Sequence, residues 1–268
     1  MKKSQIDSRF VDSYEHYAKH YDGFVSLFPE YEDIQKQLSQ TLAPYLSSST
    51  SVLDLGAGTG NSILALAEFE PNANFTHVDS SIEMNRIARQ KYEAAELDVS
   101  LCHEAIESLG FEENSFDVIV SVNALNTVAG LQDILVRARS WLKPDGHAVF
   151  VSFGRQNSFS DWFSHIFKEV YSKQGIAGVF RALRTTYFAF IANVLGRNDQ
   201  RQGLVTTHST DQFAYWLAEA GFKVESIQPC YRGYSDFAVC TKGDLVVDVE
   251  LEPPLEEAAH LDGESAAS

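Results

Sequence analysis

A chain of 268 residues, 44% hydrophobic and 22% charged, has the size and composition of one folded domain, since single cores stop growing only near about 250–300 residues. Its net charge of −16 argues against a nucleic-acid partner, because affinity for a polyphosphate comes largely from Lys and Arg. No apolar run approaches the roughly 20 residues of a membrane span, the basic residues at the start have no apolar stretch behind them, and Cys102, Cys230 and Cys240 lack disulfide or zinc spacing, so a reducing cytoplasm is expected, with neither secretion nor a metal site.

In chain order, an aromatic stretch with Tyr14, Tyr17, Tyr21 and Asp22 precedes a helix predicted over 30–45. From Val52 onward, short β-branched runs alternate with amphipathic stretches, the pattern of a parallel sheet covered by helices on both faces. Strands are predicted at 51–55, 74–78, 96–102, 116–122 and 147–153, with helices at 60–69, 82–92 and 131–142. The alternation stops between Arg155 and Arg201. There Trp162, Phe163, Ile166, Phe167 and Val170 form one apolar stripe and Val179, Phe180, Leu183, Tyr187, Phe190 and Ile191 another, so an inserted helical cap is predicted.

A helix at 210–220 follows, capped at Thr210 and ended by Gly221, and strands at 222–228 and 234–241 complete seven. From Asp248 to Ser268 there are seven acidic residues, no Lys or Arg, and paired prolines, which predicts a disordered acidic tail. The domain proper is therefore read over 1–247, with the cap inserted at 155–201 and the tail at 248–268.

The sharpest signal is Val52-Leu53-Asp54-Leu55-Gly56-Ala57-Gly58-Thr59-Gly60, a buried strand running into a glycine turn and then a helix. Glycines let a ligand lie against the backbone at the carboxyl edge of the sheet, so a nucleotide-like cofactor is implied. A dinucleotide fingerprint would need glycine at 61, where the chain has Asn61. Asp54 would also repel a pyrophosphate, whereas it suits the ammonium group of S-adenosylmethionine.

These residues resemble the class I S-adenosylmethionine-dependent methyltransferases, in particular the small-molecule group that includes the quinone-biosynthesis C-methyltransferases. The resemblance spans Tyr14 to Lys242 and implies a Rossmann-like, seven-stranded sheet with the last strand antiparallel and the cap placed after strand five. It implies that Asp54, Gly56, Ala57, Gly58 and Gly60 hold the cofactor's amino-acid part. His77-Val78-Asp79-Ser80-Ser81 resembles the second-strand end, which gives Asp79 the ribose hydroxyls and places Ser80 and Met84 beside the adenosine. His103-Glu104-Ala105-Ile106 resembles the segment that contacts adenine, which assigns Glu104, Ala105 and Ile106, although His103 stands where the family has glycine. Asn123, at the end of strand four, joins the cofactor set, and Tyr14 and Tyr21 resemble residues that close over it. Phe116-Asp117 and Pro144-Asp145-Gly146 match in order and are read as packing and turn residues.

For the acceptor, many relatives carry histidine at or beside position 126, where this chain has Asn126. Asn126 cannot take a proton but can orient a polar group. His208, just before the helix at 210–220, is the candidate base, with His16 and His20 competing. The cap carries seven Lys or Arg against three acids and nine aromatic residues, net +4 while the rest of the chain is −20. It could enclose an apolar or acidic small molecule, rest on an anionic membrane surface, form a homodimer interface, or be plain core. The expected function is methyl transfer to a small molecule. The rivals are a non-catalytic S-adenosylmethionine-binding or sensor protein and a nicotinamide-dependent reductase, the latter opposed by Asn61 and Asp54.

Overall fold

The computed structural model describes residues 18–155 and 206–243, together with helical positions at 164–165, 167–168 and 172. The predicted cap stripes, Tyr14, Tyr17, His16 and the acidic tail lie outside the described residues or are met there only at isolated positions. Among the described residues no helix is long and apolar enough to cross a membrane.

Helix α1 is described over residues 18–25, and α2 spans Pro29–Leu42. Proline at its first turn and acidic Glu30 and Glu32 favour the start of α2, where free N–H groups face outward. The alternating part then runs β1 Ser51–Leu55, α3 Asn61–Ala67, β2 Asn74–Val78, α4 Ile82–Ala94, β3 Val99–Cys102, β4 Phe116–Val122, α5 Leu131–Trp141 and β5 Leu142–Phe153. The chain returns through α6 Thr210–Glu219, β6 Phe222–Cys230 and β7 Ser235–Lys242. The sheet order is β3-β2-β1-β4-β5-β7-β6. Every neighbour from β3 to β5 is parallel, and β7 runs antiparallel to both β5 and β6, as the sequence resemblance implies.

Strand alternation divides the core between two faces. Val52, Val118, Val120, Val149 and Val151 face Leu38, Leu42, Ile63, Leu66 and Tyr92 from α2, α3 and α4. Leu53, Ile119, Ala148 and Phe150 face Leu135, Trp141, Phe213 and Leu217 from α5 and α6. Both faces of the central strands are therefore covered, which is why β1 and β4 read as nearly continuous apolar runs.

Most boundaries fall within a few residues of the sequence reading, and three differences have a local cause. β3 begins at Val99 because Glu96 has φ +55, a left-handed turn that ends the approach from α4. β5 begins at Leu142, but Phe116 pairs with Leu142 and Val118 with His147, so residues 143–146 bulge out and regular pairing starts at His147. The cap of α6 is Ser209, whose hydroxyl accepts the Gln212 N–H at 3.1 Å; Thr210 serves another purpose, described below.

Candidate functional site

The glycine turn joins β1 to α3 at the carboxyl edge of the sheet, where open α/β folds bind ligands. The N–H groups of Gly56 and Ala57 both donate to the Val78 carbonyl at 2.9 Å, tying the turn to the end of β2. Gly56, Gly58 and Gly60 have φ of +70°, +56° and +84°. A side chain at Gly56 would strike Ala124, just beyond β4, and one at Gly60 would strike the Tyr92 ring. Gly58 faces open space, so here the missing side chain leaves room for a ligand to approach the backbone.

Two carboxyl groups meet beneath this turn in contrasting states. Asp79 accepts the Gly58 N–H at 2.8 Å and the Ser81 N–H at 2.9 Å, while Asn85 holds its carbonyl at 2.8 Å. Asp54 is 1% exposed, and neither of its carboxyl oxygens has a hydrogen-bond partner. Burial, reinforced by the charge of Asp79, pushes the Asp54 pKa up to about 8. The Tyr92 hydroxyl lies 2.9 Å from His77 Nδ1; burial pushes the His77 pKa down to about 4, so that ring is neutral near pH 7. A cationic N–H donor fits the orphaned carboxyl of Asp54, and an anion does not.

The remaining cofactor candidates border the same edge. His103 Nε2 sits 2.8 Å from the Ser80 carbonyl, so the residue that replaces glycine cross-links the ends of β2 and β3. Met84 and Ile106 are buried, Ile106 lying against the turn at Gly56, while Glu104 is exposed and Ala105 half-buried. Asn123 has φ +57 and donates its N–H to the Val151 carbonyl at 2.7 Å. Asn126, 7% exposed, accepts the Thr206 N–H on its carbonyl at 2.8 Å, and the side-chain oxygens of both asparagines are buried without partners. Tyr21 meets Tyr31 edge to face with ring centres 6.4 Å apart, whereas Tyr14 lies outside the described residues.

Sequence reasoning missed the network that docks α1 on the turn. Asp22 accepts from Thr59 Oγ1 at 2.6 Å, from Asn61 Nδ2 at 3.1 Å and from Lys91 Nζ at 3.1 Å, and Asn61 also donates to the Tyr31 hydroxyl at 3.1 Å. The signal was Asn61 itself. It differs from the dinucleotide pattern and spends its amide on this docking.

The second missed group surrounds His208. This residue is 4% exposed, with Nε2 3.0 Å from Ser152 Oγ and Nδ1 3.2 Å from the Ser209 carbonyl and 3.5 Å from Asp236 Oδ2. With its proton on Nδ1, the ring donates towards Ser209 and Asp236 and accepts from Ser152. It stacks on Phe213 at 4.6 Å. Asp236 is also held by Arg155 at 2.9 Å and by the Thr210 hydroxyl at 2.8 Å, and Arg155 bonds Thr210 as well. The backbone closes the knot, because His208 N–H donates to the Gly154 carbonyl at 2.8 Å. His208 thus borders the carboxyl edge with both ring nitrogens engaged, a geometry that holds chain segments together.

The strand order, the single reversed strand and the glycine turn facing an acid at the end of β2 define a class I methyltransferase fold. Residues 52–146 match the family model described as a methyltransferase domain. A malonyl-[acyl-carrier protein] O-methyltransferase of Bacillus cereus is 30% identical over 144 residues, 52% of this chain and 52% of that protein. The Geobacter sulfurreducens protein of the same description is 27% identical over 203 residues, 73% of this chain and 66% of its own. The structure of a SAM-dependent methyltransferase from Aquifex aeolicus superposes with TM-score 0.54 at 15% identity, covering 85% of this chain and 98% of that one. The chain spans about half the length of the Bacillus cereus relative and of a Priestia megaterium protein of the same description.

Proposed function

We propose that the protein transfers a methyl group from S-adenosylmethionine to a small acidic or apolar acceptor, of the kind a malonyl thioester represents. The observation that carries this reading is Asp54, a fully buried carboxyl with no partner, set beneath a glycine turn with one open position. When bound, S-adenosylmethionine supplies a methyl group on a cationic sulfur, which makes the methyl electrophilic. Asp54 would receive the α-ammonium, Gly56 to Gly60 would line the amino-acid part, and Asp79 would receive the ribose hydroxyls. Ser80, Met84, Glu104, Ala105, Ile106 and Asn123 would surround the adenosine, with Tyr14 and Tyr21 screening the reacting centre from water.

Displacement at the methyl group needs the acceptor aligned more than it needs a strong base. Asn126 would orient the acceptor. His208 would act as a positioning residue, since both ring nitrogens already serve neighbours. The basic, aromatic segment 155–201 would cover the acceptor within a domain spanning 1–247, leaving 248–268 as an acidic tail. Its surplus of Lys and Arg suits an anionic acceptor in an otherwise acidic chain. An anionic lipid surface or a second copy of the chain would be rival occupants, separated by vesicle cosedimentation and sedimentation velocity.

Calorimetric titration with S-adenosylhomocysteine and NAD tests the cofactor, and incubation of methyl-labelled S-adenosylmethionine with malonyl-coenzyme A or a malonyl carrier protein tests the acceptor class. Binding of the first ligand alone and label in a methyl ester are expected. Binding of NAD instead would overturn the reading.

A further inference from the structure

Asp54 is enclosed by groups that cannot balance its charge. From β2 it faces Asp79 and, at the paired position, His77; from α4 it faces the Tyr92 hydroxyl. Asp79 repels a second negative charge. Tyr92 and His77 bond each other. The cation of the neighbouring network, Lys91, is engaged by Asp22, Thr59 and Asn61. Of the two carboxyl groups, Asp79 accepts two backbone N–H groups, which favours its ionised form, while Asp54 accepts none. One proton added to this pair therefore resides on Asp54.

We propose that Asp54 is a neutral acid in the ligand-free protein and that arrival of the cofactor's α-ammonium expels its proton to solvent, so that cofactor binding and proton release are one event. The Asp54 O–H bond breaks, the proton passes to water, and the ammonium keeps its own three protons while donating to the new carboxylate. The inference rests on the methyltransferase reading and adds to it a coupling between pH and cofactor affinity. The raised pKa of about 8 agrees with the geometry. The sign follows: below that value each binding event must remove a proton, so affinity rises with pH and levels off near pH 8.

The test is calorimetric titration of the full chain with S-adenosylhomocysteine at pH 6.5 in two buffers of different ionisation enthalpy, with affinities measured between pH 6 and 8. About one proton released per ligand is expected, with Kd falling close to tenfold from pH 6 to 7. 5′-Methylthioadenosine, which keeps the nucleoside and lacks the amino-acid part, should bind without proton release and with less than about twofold change over the same range. Asp54→Asn should abolish the release with S-adenosylhomocysteine. Release that is absent in the natural chain, or equal with both ligands, would overturn the proposal even if the variant failed to fold. Failure of S-adenosylhomocysteine to bind at any pH would instead overturn the methyltransferase reading.

Discussion

A carboxyl group shut away from water and donors favours binding at the expense of folding, and Asp54 should show both effects. In the unfolded chain it ionises near the ordinary 3.8, whereas in the fold it keeps its proton until about pH 8. The folded state therefore loses relative stability as pH rises from about 4 to about 8, because over that range the fold holds a proton that the unfolded chain has released. Asp54→Asn removes this penalty. The ligand-free variant should melt higher than the natural chain, with a larger gain at pH 8 than at pH 5.5 in thermal melts. The same variant should bind S-adenosylhomocysteine more weakly at pH 8 by about 1.5–3 kcal/mol, the scale of a hydrogen bond to a charged group.

The glycines separate packing from binding at the same scale. Gly60→Ala places a methyl group against the Tyr92 ring in a left-handed backbone and should lower stability by about 1–3 kcal/mol in denaturant melts. Gly58→Ala meets no neighbour, so it should cost only about 1 kcal/mol of backbone strain. Its larger effect should be on S-adenosylhomocysteine affinity, because the new side chain fills the space at the turn. Asp54, Asp79 and the three glycines were legible in the sequence because strand, turn and acid are consecutive or fixed in spacing. Asp22 and Lys91 were legible only as residue types. Their meeting, 69 positions apart, depends on how α1 lands on the turn.

At the scale of elements, the knot around Asp236 joins three crossings of the carboxyl edge: the end of β5 at Arg155, the start of α6 at Thr210, and β7 itself. Burial works to raise the Asp236 pKa, but hydrogen bonds from His208, Arg155 and Thr210 outweigh it and hold it below the ordinary value. That stabilisation is present above about pH 4 and is lost as pH falls through the folded value. Asp236→Ala leaves Arg155 without its carboxylate and should destabilise the protein by about 3 kcal/mol, with faster hydrogen exchange at the His208 amide. Unchanged exchange there would mean that the backbone bond to Gly154 stands without the knot. Sequence periodicity found α6 but put its cap at Thr210, because the adjacent Ser209 and Thr210 are both capping residue types. The choice is made by Asp236, which claims the Thr210 hydroxyl and leaves Ser209 to cap. The early start of β5 was hidden because Pro144-Asp145-Gly146 reads as a turn, and it is a bulge within one strand.

At the scale of the whole molecule, the alternation from Val52 to Phe153 announced a parallel sheet, but nothing local in the sequence announces that β7 enters between β5 and β6. That insertion is a matter of long-range pairing, and only the resemblance to a known family supplied the reversed strand. The same geometry gives a prediction for the segment between Arg155 and Thr206. Its two ends are tied together by the His208 to Gly154 hydrogen bond and by Arg155 with Thr210, so the sheet closes across its base. His165 Nε2 lies 2.7 Å from Glu30 Oε1, which places His165 at the start of α2, one residue from the Tyr31 that Asn61 ties to the glycine turn. None of the residues assigned to the cofactor falls between 156 and 205. Replacing 156–205 with about six Gly and Ser residues, which span roughly 13 Å as a flexible coil, should therefore preserve the sheet and keep S-adenosylhomocysteine affinity within about threefold. Methyl transfer to malonyl-coenzyme A should fall to background, because the basic, aromatic segment proposed to cover the acceptor is gone. A variant that binds the cofactor product and still transfers methyl groups would place acceptor selection elsewhere on the carboxyl edge, nearest Asn126 and Tyr21. A variant that fails to fold would show that the segment completes the core on the α2 face, where His165 meets Glu30.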